Sequence, residues 1–201
     1  MRPVRIASVV EGHGEVESVP ILLRRYAFEW DPTVPFQALA PVRVPRGKLV
    51  KAGELERAVK LASYKAVGCG VLVLIDADDD CPATLGPQLL DRARVILRNV
   101  IVVVAKAEFE SWFIASANSI AGLRGLREDL TTPADVENNR GAKSWLTDSM
   151  IDSRHAYSET LDQPALTASF DMHTARYSSD SFDKFCRALS ELLSSLRDES
   201  R

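Results

Sequence analysis

Residues 71–80 read Val-Leu-Val-Leu-Ile-Asp-Ala-Asp-Asp-Asp, an apolar run that ends abruptly in carboxylates. The run is rich in β-branched residues and leucine, which predicts a strand buried on both faces. Ligands of open α/β sheets gather at the carboxyl ends of such strands. Carboxylates crowded there repel one another unless a cation lies between them, and Mg²⁺ takes oxygen ligands of this kind. The stretch therefore predicts a sheet strand that ends at a divalent-metal site.

Three other segments of the chain predict further strands, and helical patterns separate them. These strands are predicted over Val4–Val10, 36–44 and Val100–Ala105. Four strands that alternate with helices indicate an α/β fold with a mostly parallel, four-stranded Rossmann-like sheet. We expect helices on both faces of this sheet and the carboxyl ends of its strands at one edge.

The alternation of strands and helices stops after Ser116. The remaining residues are predicted to form helices and loops, and they close with one helical apolar face made of Phe182, Phe185, Cys186, Leu189, Leu193 and Leu196. A chain of 201 residues can bury one sizeable core. We therefore expect an α/β core over residues 1–116 and a helical C-terminal extension over residues 117–201, packed on the same domain.

Composition narrows the classes of protein that this chain can represent. Its net charge of -3 would weakly repel phosphate, so any nucleic-acid contact must come from a local basic patch. Cys69, Cys81 and Cys186 form no CxxC pair, so neither a zinc site nor a disulfide framework is indicated, and we expect a cytoplasmic protein. The apolar run after Arg5 meets Glu11 too soon for a secretory signal or a membrane span, so we expect no membrane association.

Acidic residues follow three of the four predicted strands. They are Glu11 and Glu15 after the first strand, Asp76, Asp78 and Asp80 after the third, and Glu108 and Glu110 after the fourth. Each set alone is equally consistent with a helix start or a solvated turn. Their joint placement after strands that end at one edge favours a shared site for Mg²⁺ or Mn²⁺.

Basic residues are also grouped along the chain. Segment 32–53 has no acidic residue and carries four basic side chains: Arg43, Arg46, Lys48 and Lys51. A basic loop beside a metal site suits a phosphodiester substrate, but the same run is typical of a solvated loop. Arg140 and Lys143 form a second basic pair, at a predicted helix start, and the residues alone indicate ordinary helix-surface charge.

Two other ligand-binding motifs fit the same residues less well. Gly12 and Gly14 resemble the start of a dinucleotide fingerprint, but Glu11 and Glu15 would repel a pyrophosphate. The run from Asp76 lacks the glycine and the final glutamate of an EF-hand calcium loop. The EF-hand is therefore rejected, and a nucleotide-binding loop that works without metal is disfavoured.

The sequence also limits the ways in which this chain could hydrolyse a nucleotide or form a covalent intermediate. Gly47 and Lys48 are followed by Leu49, so the chain has no P-loop and any ATP-driven step must come from a separate ATPase. A phosphatase that uses Asp76 as its nucleophile stays open. A tyrosine nucleophile would need a base close by, and the sequence places none beside Tyr157 or the other tyrosines.

These motifs together resemble the TOPRIM superfamily, whose core is a small parallel α/β sheet with a glutamate after the first strand and Asp-x-Asp after a later one. Glu11, and Asp76 with Asp78, occupy those places here. Residues 11–15 are similar to the Glu-Gly-x-x-Glu form of the OLD-type nuclease branch. Over nearly its whole length the chain resembles a bacterial family of short stand-alone TOPRIM-like proteins, through residues 12–15, 45–48, 76–82, 108–113, 140–143 and 181–184.

The resemblance implies a nuclease-like hydrolysis of phosphodiesters in DNA or RNA that depends on Mg²⁺ or Mn²⁺, with a separate ATPase as partner in bacterial defence. The implied metal ligands are Glu11, Glu15, Asp76, Asp78, Asp80, Glu108 and Glu110. The implied catalytic residues are Glu11, Lys48 and Lys143, and the implied substrate contacts are Arg43, Arg46, Lys48, Lys51 and Arg140. Two alternatives stay open: a non-catalytic partner subunit that binds metal and nucleic acid or nucleotide, and a phosphatase or phosphotransferase.

Overall fold

The computed structural model describes residues 2–137 and 141–199, and these ranges contain five strands. The strands are β1 (Val4–Val10), β2 (Phe36–Ala38), β3 (Val42–Arg43), β4 (Gly70–Asp76) and β5 (Val100–Ala105). The helices up to β5 are α1 (His13–Trp30), α2 (Arg46–Leu49), α3 (Glu54–Ser63) and α4 (Pro82–Arg94). Those after β5 are α5 (Ser111–Ile114), α6 (Ala117–Ile120), α7 (Ala142–Asp148), α8 (Asp162–Ser169), α9 (Met172–Ser178) and α10 (Asp180–Glu199), with a 3₁₀ turn at Leu123–Gly125.

The strands form one sheet in the order β2-β1-β4-β5, and all pairings between them are parallel. Ile6 pairs with Gly70, and Asp76 pairs with Ala105. Because the strands are parallel, the carboxyl ends of β1, β4 and β5 lie at one edge of the sheet. The predicted fold class, with its mostly parallel sheet and helical C-terminal region, is confirmed.

The predicted strand over residues 36–44 is wrong as one continuous element, so the sheet has five strands where four were predicted. β2 and β3 both pair with the same edge of β1, and residues 39–41 separate them. Leu39 still donates its amide to the carbonyl of Ile6 at 2.8 Å. Pro41 has no amide proton to donate, which explains the interruption of the ladder at this point.

Alternate residues of the central strands point into two separate hydrophobic clusters, one on each face of the sheet. Ala7, Val73 and Val102 face α3 and α4. Ile6, Leu72 and Val103 face α1 and α10. This alternation follows from the two-residue period of a strand, and burial on both faces explains the apolar sequence of β4.

The C-terminal helices anchor the segment that follows β5. An aromatic cluster joins them to this segment and consists of Phe109, Trp112, Phe113, Phe170, Phe182 and Phe185. Burying each such side chain contributes about 1.5–3 kcal/mol to stability. The indole Nε1 of Trp112 also donates to Ser181 Oγ at 2.8 Å. Residues on both sides of position 116 thus share one hydrophobic core.

Helices long and apolar enough to cross a membrane are absent from the part of the chain that the structure describes.

Candidate metal centre

Three carboxylates meet at the edge of the sheet where β1 and β4 end. Glu11 follows β1, Glu15 lies in the first turn of α1, and Asp76 is the last residue of β4. One carboxylate oxygen from each residue lies within 4.8 Å of the other two. Glu15 and Asp76 are 4% and 6% exposed, so this acidic cluster is largely removed from water.

The β1–α1 turn gives Glu15 a fixed position. Its Oε2 accepts hydrogen bonds from the backbone amides of Glu11 at 3.0 Å and Gly12 at 3.2 Å. These amides have no partner within the helix, so a carboxylate in the first turn satisfies them and also complements the helix dipole. The turn therefore holds one oxygen of Glu15 and fixes its side chain beside Asp76.

Burial and mutual repulsion raise the pKa values of these carboxyl groups. Burial raises the pKa of Glu11 to about 7, and the charge of Asp78 contributes to the rise. Burial also raises the pKa of Glu15 to about 7. Burial, followed by the charges of Glu15 and Glu11, raises the pKa of Asp76 well above its usual range. Negative charge at this site is therefore costly without a compensating cation.

Glu110 is a further buried carboxylate, which lies outside the cluster of three and interacts electrostatically with Asp76. Its Oε1 accepts two hydrogen bonds of 3.1 Å, from the hydroxyl of Tyr157 and from Nε2 of Gln163. Its Oε2 is buried and has no hydrogen-bond partner. Burial raises the pKa of Glu110 to about 7, although the charge of Lys143 opposes the shift.

Lys143 supplies a positive charge to this region from the start of α7. Its Nζ lies 2.6 Å from Oε1 of Glu159. Burial alone would lower the pKa of Lys143, but Glu110, Glu159 and Asp76 together raise it above its ordinary value. The ammonium group is therefore charged at neutral pH and partly offsets the negative charge of the carboxylates.

Asp78 and Asp80 lie in the loop after β4, and both contact Arg46. Nε of Arg46 lies 3.2 Å from Oδ2 of Asp78, and its Nη2 bonds to the carboxylate of Asp80. The same guanidinium donates to the backbone carbonyls of Asp76 at 3.0 Å and Ala77 at 2.9 Å. Arg46 thus joins α2 to the end of β4. Both aspartates are exposed and lie outside the cluster of three.

Glu108 contacts the start of α7 instead of the cluster of three carboxylates. Its Oε1 accepts from the amide of Gly141 at 3.3 Å, and its Oε2 accepts from the amide of Lys143 at 3.2 Å. These bonds hold the backbone of Lys143 near the end of β5. Glu108 also lines a pocket of about 270 Å³ with Asp78, Asp79 and Ala107.

The other residues predicted to contact the substrate are exposed or lie outside the described residues. The exposed Arg43 donates from Nη1 to the backbone carbonyl of Glu11 at 3.2 Å. Lys48, in α2, and Lys51, just after it, are exposed. Arg140 lies outside the described residues, so its predicted substrate contact stays a prediction.

Sequence reasoning missed three residues of the C-terminal region that contact the site. Tyr157, Glu159 and Gln163 lie in segment 157–163, which leads into α8. The expectation that no base lies near Tyr157 is wrong, because its hydroxyl bonds to a carboxylate. The partners are 47 residues apart in the sequence, so no local pattern could have revealed the contact.

The donor set fits a hard divalent cation such as Mg²⁺ or Mn²⁺. Carboxylate oxygens are the ligands that these ions prefer. Oε2 of Glu11 and Oε2 of Glu110 are both buried without a hydrogen-bond partner. Unpaired buried carboxylate oxygens are costly, and coordination to a cation would satisfy them.

Residues 10–190 match the family DUF4276, described as a domain of unknown function, and the chain belongs to this family. No curated protein and no solved structure matches the chain.

Proposed function

We propose that this member of the DUF4276 family is a nuclease-like enzyme that hydrolyses phosphodiester bonds in DNA or RNA with the help of Mg²⁺ or Mn²⁺. The observation that carries the proposal is the convergence of Glu11, Glu15 and Asp76 within 4.8 Å at the carboxyl edge of a parallel sheet. Such a concentration of raised-pKa carboxyl groups is typical of functional sites. The resemblance to TOPRIM nucleases supports the same chemistry.

Some of the carboxylates would bind the metal ion, and others would support the loops around it. Glu11, Glu15, Asp76 and Glu110 would hold the ion, and Asp78 would join them after exchanging its contact with Arg46. Asp80 and Glu108, which now contact Arg46 and the start of α7, would support the loops around them. When bound, the ion would lower the pKa of a water molecule and stabilise the leaving oxygen.

The positive side chains would bind the phosphate of the substrate. Lys143 is charged and interacts with the buried carboxylates, so it would stabilise the negative charge that develops on the phosphate. Lys48 would act with it from α2. Arg43 and Lys51 would contact neighbouring phosphates, as would Arg140. Arg46 already donates to protein acceptors and would have to exchange an aspartate for a phosphate.

We also propose a partner and a cellular location for this activity. The chain has no P-loop, so a separate ATPase would supply any ATP-driven step. Cys69, Cys81 and Cys186 are free thiols, which is typical of proteins in a reducing cytoplasm. We propose a cytoplasmic location on this basis.

The test is cleavage of plasmid DNA and of RNA by the purified protein with Mg²⁺ or Mn²⁺. Glu11→Gln keeps the side-chain shape but offers a poorer ligand to a hard cation. Losing about 3 kcal/mol of transition-state stabilisation would slow turnover by a factor of about 100 or more. Glu191→Gln, at an exposed position in α10, is the matched control and should cut at the wild-type rate.

Equal cleavage rates for wild type and Glu11→Gln would contradict the assigned role of Glu11. Failure of the wild-type protein to cut either substrate, even with an ATPase partner and ATP, would contradict the enzyme itself. Metal binding without cleavage would then favour the non-catalytic partner subunit. A covalent phosphoaspartate at Asp76 would favour the phosphatase.

A further inference from the structure

Segment 157–163 of the C-terminal region reaches across to the carboxyl edge of the sheet and contacts two of its charged side chains. Tyr157 and Gln163 bond to Glu110, and Glu159 bonds to Lys143. This segment is distant in the sequence from the strands whose ends carry the carboxylates.

The start of α1 packs closely against this segment. A Cβ atom added to Gly14 would lie 2.2 Å from Oε1 of Gln163 and 2.3 Å from the carbonyl oxygen of Glu159. Only glycine allows so close an approach of the two segments. Ser18 Oγ also donates to Oε1 of Gln163 at 3.2 Å, which fixes the amide so that its Nε2 faces Glu110.

The hydrogen bonds of Glu110 are unevenly divided between its two oxygens. Both donors, the Tyr157 hydroxyl and Gln163 Nε2, bond to Oε1, while Oε2 is buried without a partner. A buried carboxylate oxygen without a donor is costly. The arrangement therefore orients the carboxylate and leaves one oxygen available to a cation.

Glu137 is a buried carboxylate outside the acidic cluster and provides a comparison within the same chain. Its Oε1 accepts three hydrogen bonds, from Ser179 Oγ and from the amide and Oγ of Ser181. Neither oxygen of Glu137 is buried without a partner. Both carboxylates accept their hydrogen bonds at Oε1, and Glu110 differs in that its Oε2 is buried without a partner.

We infer that Tyr157 is a positioning residue of the metal centre, whose hydroxyl, together with the amide of Gln163, orients Glu110 so that Oε2 can coordinate the ion. The inference rests on the proposed function, since it names residues that support the same site. Ligating carboxylates are commonly held by such hydrogen bonds, and losing one typically weakens metal binding by a factor of about 10 to 100.

The test is calorimetric titration of the full-length protein with Mn²⁺, paired with urea unfolding of the metal-free protein. Tyr157→Phe removes the hydroxyl and keeps the ring, and we expect it to weaken Mn²⁺ binding about 10-fold. Tyr26→Phe is the matched control, because the buried Tyr26 likewise donates a hydrogen bond from its hydroxyl, to the carbonyl of Cys186 at 2.8 Å. It should lower stability without changing Mn²⁺ affinity.

Gln163→Met removes the second donor and should weaken Mn²⁺ binding in the same direction as Tyr157→Phe. Wild-type affinity in a folded Tyr157→Phe protein, while Asp76→Asn abolishes binding, would overturn the inference and leave the metal site intact. An equal loss of affinity in Tyr26→Phe would also overturn it, because the effect would then follow stability alone. Absence of Mn²⁺ binding in the wild-type protein would refute both the inference and the proposed function.

Discussion

The backbone amide of Asp78 donates a 3.3 Å hydrogen bond to the carbonyl oxygen of Ala107, and both residues have positive φ angles, 49° and 62°. Asp78 belongs to the loop after β4, and Ala107 belongs to the loop after β5. Residues other than glycine are rare in this left-handed region, where each costs about 1–2 kcal/mol. Backbone strain of this kind clusters at functional sites, and here it joins the two loops that carry acidic residues.

Substitutions at Asp78 should separate the backbone strain from the loss of charge. Asparagine tolerates the left-handed conformation better than alanine, and both substitutions remove the charge that faces Arg46. We expect Asp78→Ala to be less stable than Asp78→Asn by about 1 kcal/mol in urea unfolding of the metal-free protein. Identical unfolding curves for the two variants would show that the φ angle of Asp78 carries no strain.

The stability of the metal-free protein should fall as the pH rises toward neutrality. The pKa values of Glu11, Glu15 and Glu110 are raised in the folded protein from 4.5 to about 7. Between these values the folded state binds more protons than the unfolded state. The contribution of these groups to stability is therefore complete below pH 4.5 and is lost as the pH rises through 7.

The measurement is the melting temperature of the protein in a metal chelator between about pH 5 and pH 8. We expect it to decrease with pH, and we expect Mn²⁺ to raise it most at the alkaline end, because the ion binds the deprotonated carboxylates. Glu15→Gln should make the pH dependence shallower while its oxygen still accepts the turn amides. An unchanged slope in this variant would argue against a raised pKa at Glu15.

Gly14→Ala should destabilise the protein, whereas Gly47→Ala should not. The new Cβ at position 14 would lie 2.2 Å from Gln163 Oε1 and 2.3 Å from a backbone oxygen, whereas at position 47 it would meet nothing within 4 Å. Overpacking of this kind costs about 1–3 kcal/mol. Alanine in the short helix α2 should be neutral or stabilising by up to about 1 kcal/mol. Equal unfolding free energies for the two variants would contradict the close packing of segment 157–163 against Gly14.

Arg46→Ala and Lys48→Ala should have different effects although both residues lie in α2. Arg46 donates to two carbonyls and contacts two carboxylates, so its loss should lower the free energy of unfolding by about 1–3 kcal/mol. The exposed Lys48 should change stability by less than about 0.5 kcal/mol.

Binding to a short DNA or RNA duplex gives the second readout for this pair. If Lys48 contacts a phosphate, Lys48→Ala should reduce the slope of log affinity against log salt by about 1, because one fewer counterion is released. An unchanged salt slope would show that Lys48 contacts no phosphate and is an ordinary solvated surface charge. An unchanged stability in Arg46→Ala would contradict the contacts of its guanidinium with the end of β4.

The sequence by itself determined the parallel sheet and the placement of seven carboxylates near one edge of it, three of which cluster. Both depend on short-range information: a strand buried on both faces must be continuously apolar, and parallel strands bring their carboxyl ends to one edge. Glu11 directly follows β1, Glu15 lies in the first turn of the helix after it, and Asp76 ends β4, so their meeting could be expected from the sequence. The break at Pro41 could have been read from the missing amide proton.

Only the tertiary structure decided which partners these groups have. Glu110 and Glu108 are two residues apart in the sequence, yet one is buried under Tyr157 and Gln163 and the other accepts the first amides of α7. The partners of Glu110 lie 47 and 53 residues away, and the packing of the C-terminal helices brings them there. Contacts at such separations depend on how whole elements pack, and no local pattern of residues encodes them.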